Sequence, residues 1–138
     1  VARVLEEVDK ERVEVAHILR CKNVLTAIDW LTMAYNVVEG NLFDAIHSNP
    51  GYVGIMAPRM TNVRYITEDV PMSLVPIAEF GRVFGVKTTT TDALIDLANV
   101  IFKIDFRKTG RNLVRLGMDN LTLDEIRNVF IDGTPKRT

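Results

Sequence analysis

Apolar residues recur at three- and four-residue intervals along most of this chain, and no stretch alternates apolar and polar over the length of a strand. Val1, Val4, Leu5, Val8, Val15, Ala16 and Leu19 set the pattern of a helix that buries one stripe. Leu25, Ile28, Leu31, Tyr35 and Val38 continue it behind Asn23, a residue able to cap a helix, and Gly40 is placed to stop it. A short third helix is expected from Asn41 to about His47. "SNPGYVGIMAPRMTN", Ser48 to Asn62, is dense in Pro, Gly and Asn, so turn chemistry predicts one long loop there. Thr67 then reads as the cap of a helix with Glu68 and Asp69 in its first turn. Pro71 falls where a missing N–H does little harm, Pro76 is expected to bend or restart the helix, and Gly85 to end it. Thr91 is expected to cap a helix whose stripe is Leu94, Ile95, Ala98, Ile101 and Phe102. A short helix from Thr109 to Leu116 stops at Gly117, and "TLDE", Thr122 to Glu125, is a capping box opening the last helix. The fold class is all-α, a helical bundle.

A chain of 138 residues supports one domain with a real core, assigned to residues 1–133 with 134–138 as a polar tail. Its 17 basic and 18 acidic residues are interspersed and leave a formal charge of −1. No field is present to attract nucleic acid or an anionic membrane, so neither is expected as a partner. No apolar run approaches the roughly 20 residues of a membrane span, and no charged-then-apolar leader opens the chain. Cys21 is the single cysteine, which excludes an internal disulfide and fits a reducing, cytoplasmic location. The chain opens on Val1 already in helical phase without a cap, a pattern expected where further sequence lies upstream.

Most catalytic signatures are missing. The glycines never fall as GxGxxG or GxxxxGK, so these loops are not expected to hold a dinucleotide or a nucleoside triphosphate, and a cofactor would come from elsewhere. His17 and Cys21, four apart on the first helix, share a face, but only His47 remains to join them and a closed zinc site needs four ligands. A packed Cys and a half-exposed His, with no metal, is the better reading. Trp30, Tyr35, Phe43, Phe80, Phe84, Phe102, Phe106 and Phe130 fall mostly on apolar stripes and are expected in the core, because stacking platforms accompany basic grooves.

"RYITEDVP", Arg64 to Pro71, remains. On one continuous helix, Arg64 and Asp69 would lie about 140° apart, since each residue turns about 100°, and could not share a ligand. With Arg64 in the loop and Asp69 in the first turn after Thr67, both could face one cleft, with the helix N-terminus favouring an ionised carboxylate. The plainer alternative is a surface ion pair beside a capped helix, worth little energetically.

The runs "RYITEDVPMSLVPIAEFGRVFGV", "DALIDLANVIFKIDF" and "GRNLVRLGM", in that order, resemble the helical C-terminal domain of the octopine/nopaline (opine) dehydrogenase family. "VARVLEEVDKERVEVA" and "AIHSNPGYVGIMAP" extend the likeness across nearly the whole chain. The resemblance implies an all-α domain similar to the C-terminal domain of 6-phosphogluconate dehydrogenase, partnered by an N-terminal Rossmann domain with the active site in the cleft between them. It implies NAD or NADP as cofactor, bound by that other domain, and reductive joining of an amino acid to an α-keto acid. Asp69 matches the family's Asp that holds a catalytic His, and Arg64 matches the Arg near the keto-acid carboxylate. An ionised Asp69 would fix that imidazole's tautomer, and Arg64 would grip a carboxylate with two parallel bonds.

The family places its catalytic His before the helix that begins here at Val1, so this chain by itself is expected to be inactive. Ser73 stands where the family often has Gly, and Thr88 to Thr91 replace a commoner Pro-containing turn. A homodimer is expected through the last two short helices, which bear Leu113, Leu116, Ile126, Val129 and Phe130. The alternative reading is a stand-alone helical dimerisation module that keeps the fold without the chemistry.

Overall fold

The structure is a computed structural model that describes residues 1–35, 37 and 40–133. Among the described residues it contains helices and turns and no strand, the all-α architecture expected from the sequence. The helices are α1 (Ala2–Ile18), α2 (Ala27–Ala34), α3 (Leu42–Ser48), α4 (Arg64–Thr67), α5 (Val75–Phe84), α6 (Thr89–Phe102), α7 (Phe106–Thr109) and α8 (Leu123–Asp132). A 3₁₀ turn spans Pro50–Tyr52, and a π turn, Val70–Leu74, joins α4 to α5.

The first helix is the spine. It packs on α3, α5 and α6, and three of its acids close the N-termini of other helices, where backbone N–H groups have no partner within the helix. The Glu6 carboxylate accepts from Leu42 N at 3.3 Å, and Asp9 accepts from Ala27 N at 2.7 Å. Glu11 accepts from Thr90 N at 2.7 Å and Thr91 N at 2.8 Å.

Among the described residues three apolar clusters lie around the spine. Val70, Val75, Ala78, Ile95, Ala98 and Phe106 join the π turn to α5, α6 and α7. Val15, Phe80, Leu113, Met118 and Ile126 join α1 and α5 to the C-terminal segment. Leu31, Leu42 and Ala45 join α2 to α3.

Several expected boundaries move. Asn23 does not cap α2: its φ is +55°, and the cap is Thr26, in a reciprocal capping box with Asp29. That helix ends at Ala34. Tyr35 is extended and its ring meets Trp30 at 5.6 Å and Tyr52 at 6.3 Å, so aromatic packing overrides the helical period. Val38, assigned to this stripe, and the tail 134–138 lie outside the described residues.

Thr91 sits inside the first turn of α6, not at its cap. Thr88 is the cap, and Thr91 is wholly buried with its hydroxyl on Glu11. The helix expected at Thr109–Leu116 is instead α7, a single turn capped by Asp105, with turns from residue 113 to 117. Asn41, Gly85 and the Thr122–Glu125 box act as expected.

Exposed aromatics also depart from expectation. Phe80 and Phe106 are core, but Trp30, Tyr35, Phe43 and Phe130 reach solvent. Leu113 and Ile126 are fully buried inside the domain, and Val129 packs on the same cluster, so of the expected dimer patch only Leu116 and Phe130 remain exposed.

Candidate functional site

From Arg64 to Asp69 the backbone runs as helix, with a single turn residue at Glu68 that keeps right-handed helical angles. Thr67 is not a cap; its hydroxyl donates to Val63 O at 3.2 Å, one turn back. Arg64 is consequently a helix residue rather than a loop residue, and Asp69 lies in the second turn, away from the N-terminal amides. Over these five residues an ideal helical advance would separate the two side chains by about 140°; no hydrogen bond or ion pair joins them, although the Asp69 charge adds a smaller effect to that of Glu68 in favouring the charged Arg64 guanidinium.

The local pair is Arg64 with Glu68. The guanidinium donates to both Glu68 oxygens, through Nε to Oε2 and through Nη2 to Oε1 at 3.1 Å. The i,i+4 spacing is legible in the sequence, where reading Glu68 as a first-turn acid hides it. The Arg64 hydrogen bond, with added help from the charges of Arg64 and Arg111, holds the Glu68 carboxyl below its ordinary range against a smaller effect of burial. Among the described residues Asp69 has no hydrogen-bond or ion-pair partner, and it is exposed.

Two prolines set the backbone beyond Asp69. Pro76 has no N–H to give to Met72 O or Pro71 O, and the amide of Val75 bonds back five residues to Val70 O instead of four. Pro71 O is thereby left without a helical donor. The amide of Arg111, from the segment after α7, takes the place at 2.8 Å. Gly110 makes the approach possible, because a Cβ there would lie 2.5 Å from Pro71 O and 2.7 Å from Phe106 O. No sequence signal pointed to Arg111; the contact depends on two segments 40 residues apart.

Upstream, Asn49 is buried and accepts from Gly51 N at 2.9 Å, fixing the turn that opens the loop. Beyond it Val53, Ile55, Met56 and Met60, then Tyr65 on α4, are exposed, an apolar row leading directly into Arg64 and Asp69.

The histidines and the cysteine do not assemble. Cys21 lies beyond the end of α1, where Arg20 turns left-handed at φ +55° and the Cys21 amide closes on Ala16 O at 2.9 Å. It is exposed rather than packed, and His17 is exposed as well. His47 stacks on Phe43, ring centroids 3.9 Å apart, with Nδ1 2.8 Å from Phe43 O. Among the described residues no three His, Cys, Asp or Glu side chains group as metal ligands.

Nor do the helix ends suit a dinucleotide. Side-chain acceptors occupy the N-termini of α2, α3, α6, α7 and α8, and most are carboxylates that would repel a pyrophosphate. These five ends do not fit the cofactor's phosphates; α1 and α4 carry no side-chain cap.

The sequence matches the family model described as NAD/NADP octopine/nopaline dehydrogenase, alpha-helical domain, over residues 1–102. It is 38% identical over 128 residues to the opine dehydrogenase of Arthrobacter sp. (strain 1C), covering 93% of this chain and 35% of that protein. It is 27% identical over 119 residues to Protein ocs of Agrobacterium tumefaciens (strain Ach5), covering 86% of this chain and 33% of that protein. A solved structure of octopine dehydrogenase with NADH and L-arginine shares the fold at a TM-score of 0.71 and 22% identity, covering 99% of this chain and 40% of that one. The chain thus spans about a third of the length of the curated relatives it matches.

Proposed function

Because this chain belongs to the NAD/NADP octopine/nopaline dehydrogenase family and forms its alpha-helical domain, we propose that it is the substrate-binding and catalytic half of an opine-type dehydrogenase. The reaction is reductive condensation of an amino acid with an α-keto acid, the hydride coming from NADH or NADPH. The cofactor's phosphates would be held by a Rossmann domain in the part of its relatives' length that this chain does not span. Cytoplasmic location belongs to the same reading; no described helix is long and apolar enough to cross a membrane.

One observation carries the assignment of residues: an exposed carboxylate without a hydrogen-bond partner among the described residues, Asp69, stands immediately before a π turn whose geometry is fixed by a second segment of the chain. Such turns are frequent at functional sites. In this reading Asp69 accepts the N–H of a histidine supplied by the remainder of the protein, setting its tautomer and supporting its positive charge when it protonates the substrate oxygen. Asp69 reaches the substrate only through that histidine, so Arg64 can meet the adjoining keto-acid carboxylate from another side once the remainder of the protein closes over the site.

Glu68 adds a step. It already occupies the Arg64 guanidinium, so a substrate carboxylate must exchange with it. The row Val53, Ile55, Met56, Met60 and Tyr65 would face the rest of the protein and keep water from the site.

The test is an assay of the full-length protein with pyruvate and a panel of amino acids, comparing wild type with Asp69→Asn and Arg64→Ala. The reading holds if the first variant loses turnover and the second loses affinity for the keto acid. It fails if both retain wild-type kinetics.

A further inference from the structure

Glu68 touches one guanidinium and feels two. Arg64 donates to both of its oxygens, and this hydrogen bonding is the largest effect holding the carboxyl below its ordinary range; against burial, the charges of Arg64 and then of Arg111 add to it. Arg111 is exposed, and its guanidinium has no hydrogen-bond or ion-pair partner among the described residues. A second cation therefore stands near Glu68 with its donors unused.

The backbone fixes where that cation sits. The Arg111 amide donates to Pro71 O at 2.8 Å, and the segments are so close that a Cβ on Gly110 would lie 2.5 Å from the same oxygen. Pro71 follows Glu68 by three residues, close to one helical turn of about 5 Å. The three-methylene stem of an arginine covers such a distance. Rotation of the two exposed side chains brings Glu68 and Arg111 together with the backbone unmoved.

We propose that Arg111 is a positioning residue of the keto-acid site, which takes over the Glu68 carboxylate when a substrate carboxylate displaces it from Arg64. The inference rests on Arg64 as the keto-acid residue. A substrate entering the Arg64 fork meets a like charge already there, and a Glu68 released without a partner would repel it at close range. With Arg111 alongside, displacement becomes transfer: Arg64 passes from Glu68 to substrate, and Glu68 from Arg64 to Arg111. Both carboxylates end paired. Arg111 then contributes more to the liganded state than to the free one, and so favours binding without touching substrate.

Steady-state kinetics of the full-length protein tests this. Arg111→Gln keeps the amide on Pro71 O and removes only the charge, so the melting temperature should hold while the keto-acid KM rises about three- to tenfold, with kcat less affected. Arg111→Lys, which keeps the charge, should recover most of that rise. In a Glu68→Gln background no carboxylate needs a second partner, and adding Arg111→Gln should change KM by less than about twofold. An Arg111→Gln variant with wild-type KM overturns the proposal. So does a rise that persists undiminished with Glu68→Gln, which would mean that Arg111 grips substrate itself. Arg64→Ala separates the two levels: if it leaves the keto-acid KM unchanged, the reading of the site fails and the exchange with it, whereas a rise there without one in Arg111→Gln sinks the exchange alone.

Discussion

Glu11, in the middle of α1, caps α6 from 80 residues away: its Oε2 accepts Thr91 N at 2.8 Å and Thr91 Oγ1 at 2.6 Å. Its other oxygen accepts Thr90 N at 2.7 Å. Glu11 is only 8% exposed and Thr91 not at all, so each satisfies a group the other would leave buried and unpaired. Glu11→Ala should therefore cost about 3–4 kcal/mol, and Glu11→Gln, which keeps one acceptor, about 1–2 kcal/mol. Urea denaturation of the chain gives both values.

The same carboxylate sets an acid limit. Burial raises its pKa, but the Thr91 hydroxyl and the amides of Thr90 and Thr91 together lower it further, so it lies below the ordinary glutamate value of 4.5. Below about pH 4.5 the unfolded chain then binds more protons than the folded one, and stability rises with pH there. The contribution is complete above the unfolded value and is lost as pH falls through the folded one. Denaturation midpoints measured from pH 3 to 7 should show this acid limb in wild type and a flatter one in Glu11→Gln.

In the full-length protein, Arg64→Ala should raise the keto-acid KM by about 30- to 150-fold, equivalent to about 2–3 kcal/mol, with kcat less affected. Glu68→Gln should act in the opposite direction, lowering that KM a few-fold by loosening the pair that substrate must displace. Steady-state kinetics on the two variants separates a substrate-binding Arg64 from a surface ion pair, for which neither change would matter.

Asp69→Asn preserves shape but removes the charge that would orient an imidazole, so kcat should fall by about 100- to 10,000-fold. The helix has no need of the carboxylate, which caps nothing, and the melting temperature should stay within a degree or two. Retained turnover would remove Asp69 from the mechanism.

Gly110→Ala tests the anchor behind the site. Its φ is −79°, so glycine is required there for space and not for conformation. A methyl 2.5 Å from Pro71 O must push the segment off the π turn and break the Arg111 amide bond, at a cost of about 2–3 kcal/mol. Thermal unfolding measures the loss, and in the full-length protein a fall in turnover should accompany it.

Interactions within one turn of chain were legible in the sequence. Asn41 at the start of α3, the Thr122–Glu125 box and the left-handed Gly85 each act on residues three or four positions away, so spacing alone specified them. The all-α fold came equally from periodicity. Thr67 and Thr91 had the right side chain for a cap and did not become one, because a threonine hydroxyl can equally bond back one turn or meet a distant carboxylate. Whether Arg64 lay in a loop or a helix, and therefore which way it faces from Asp69, depended on that outcome. Three decisions came from contacts between segments far apart: acids of α1 closing other helices, the Arg111 amide on Pro71 O, and Tyr35 leaving its helix to meet Tyr52. Sequence spacing encodes only what the backbone brings together within a turn or two, and an orphaned amide or carbonyl finds its distant partner only when the chain has packed.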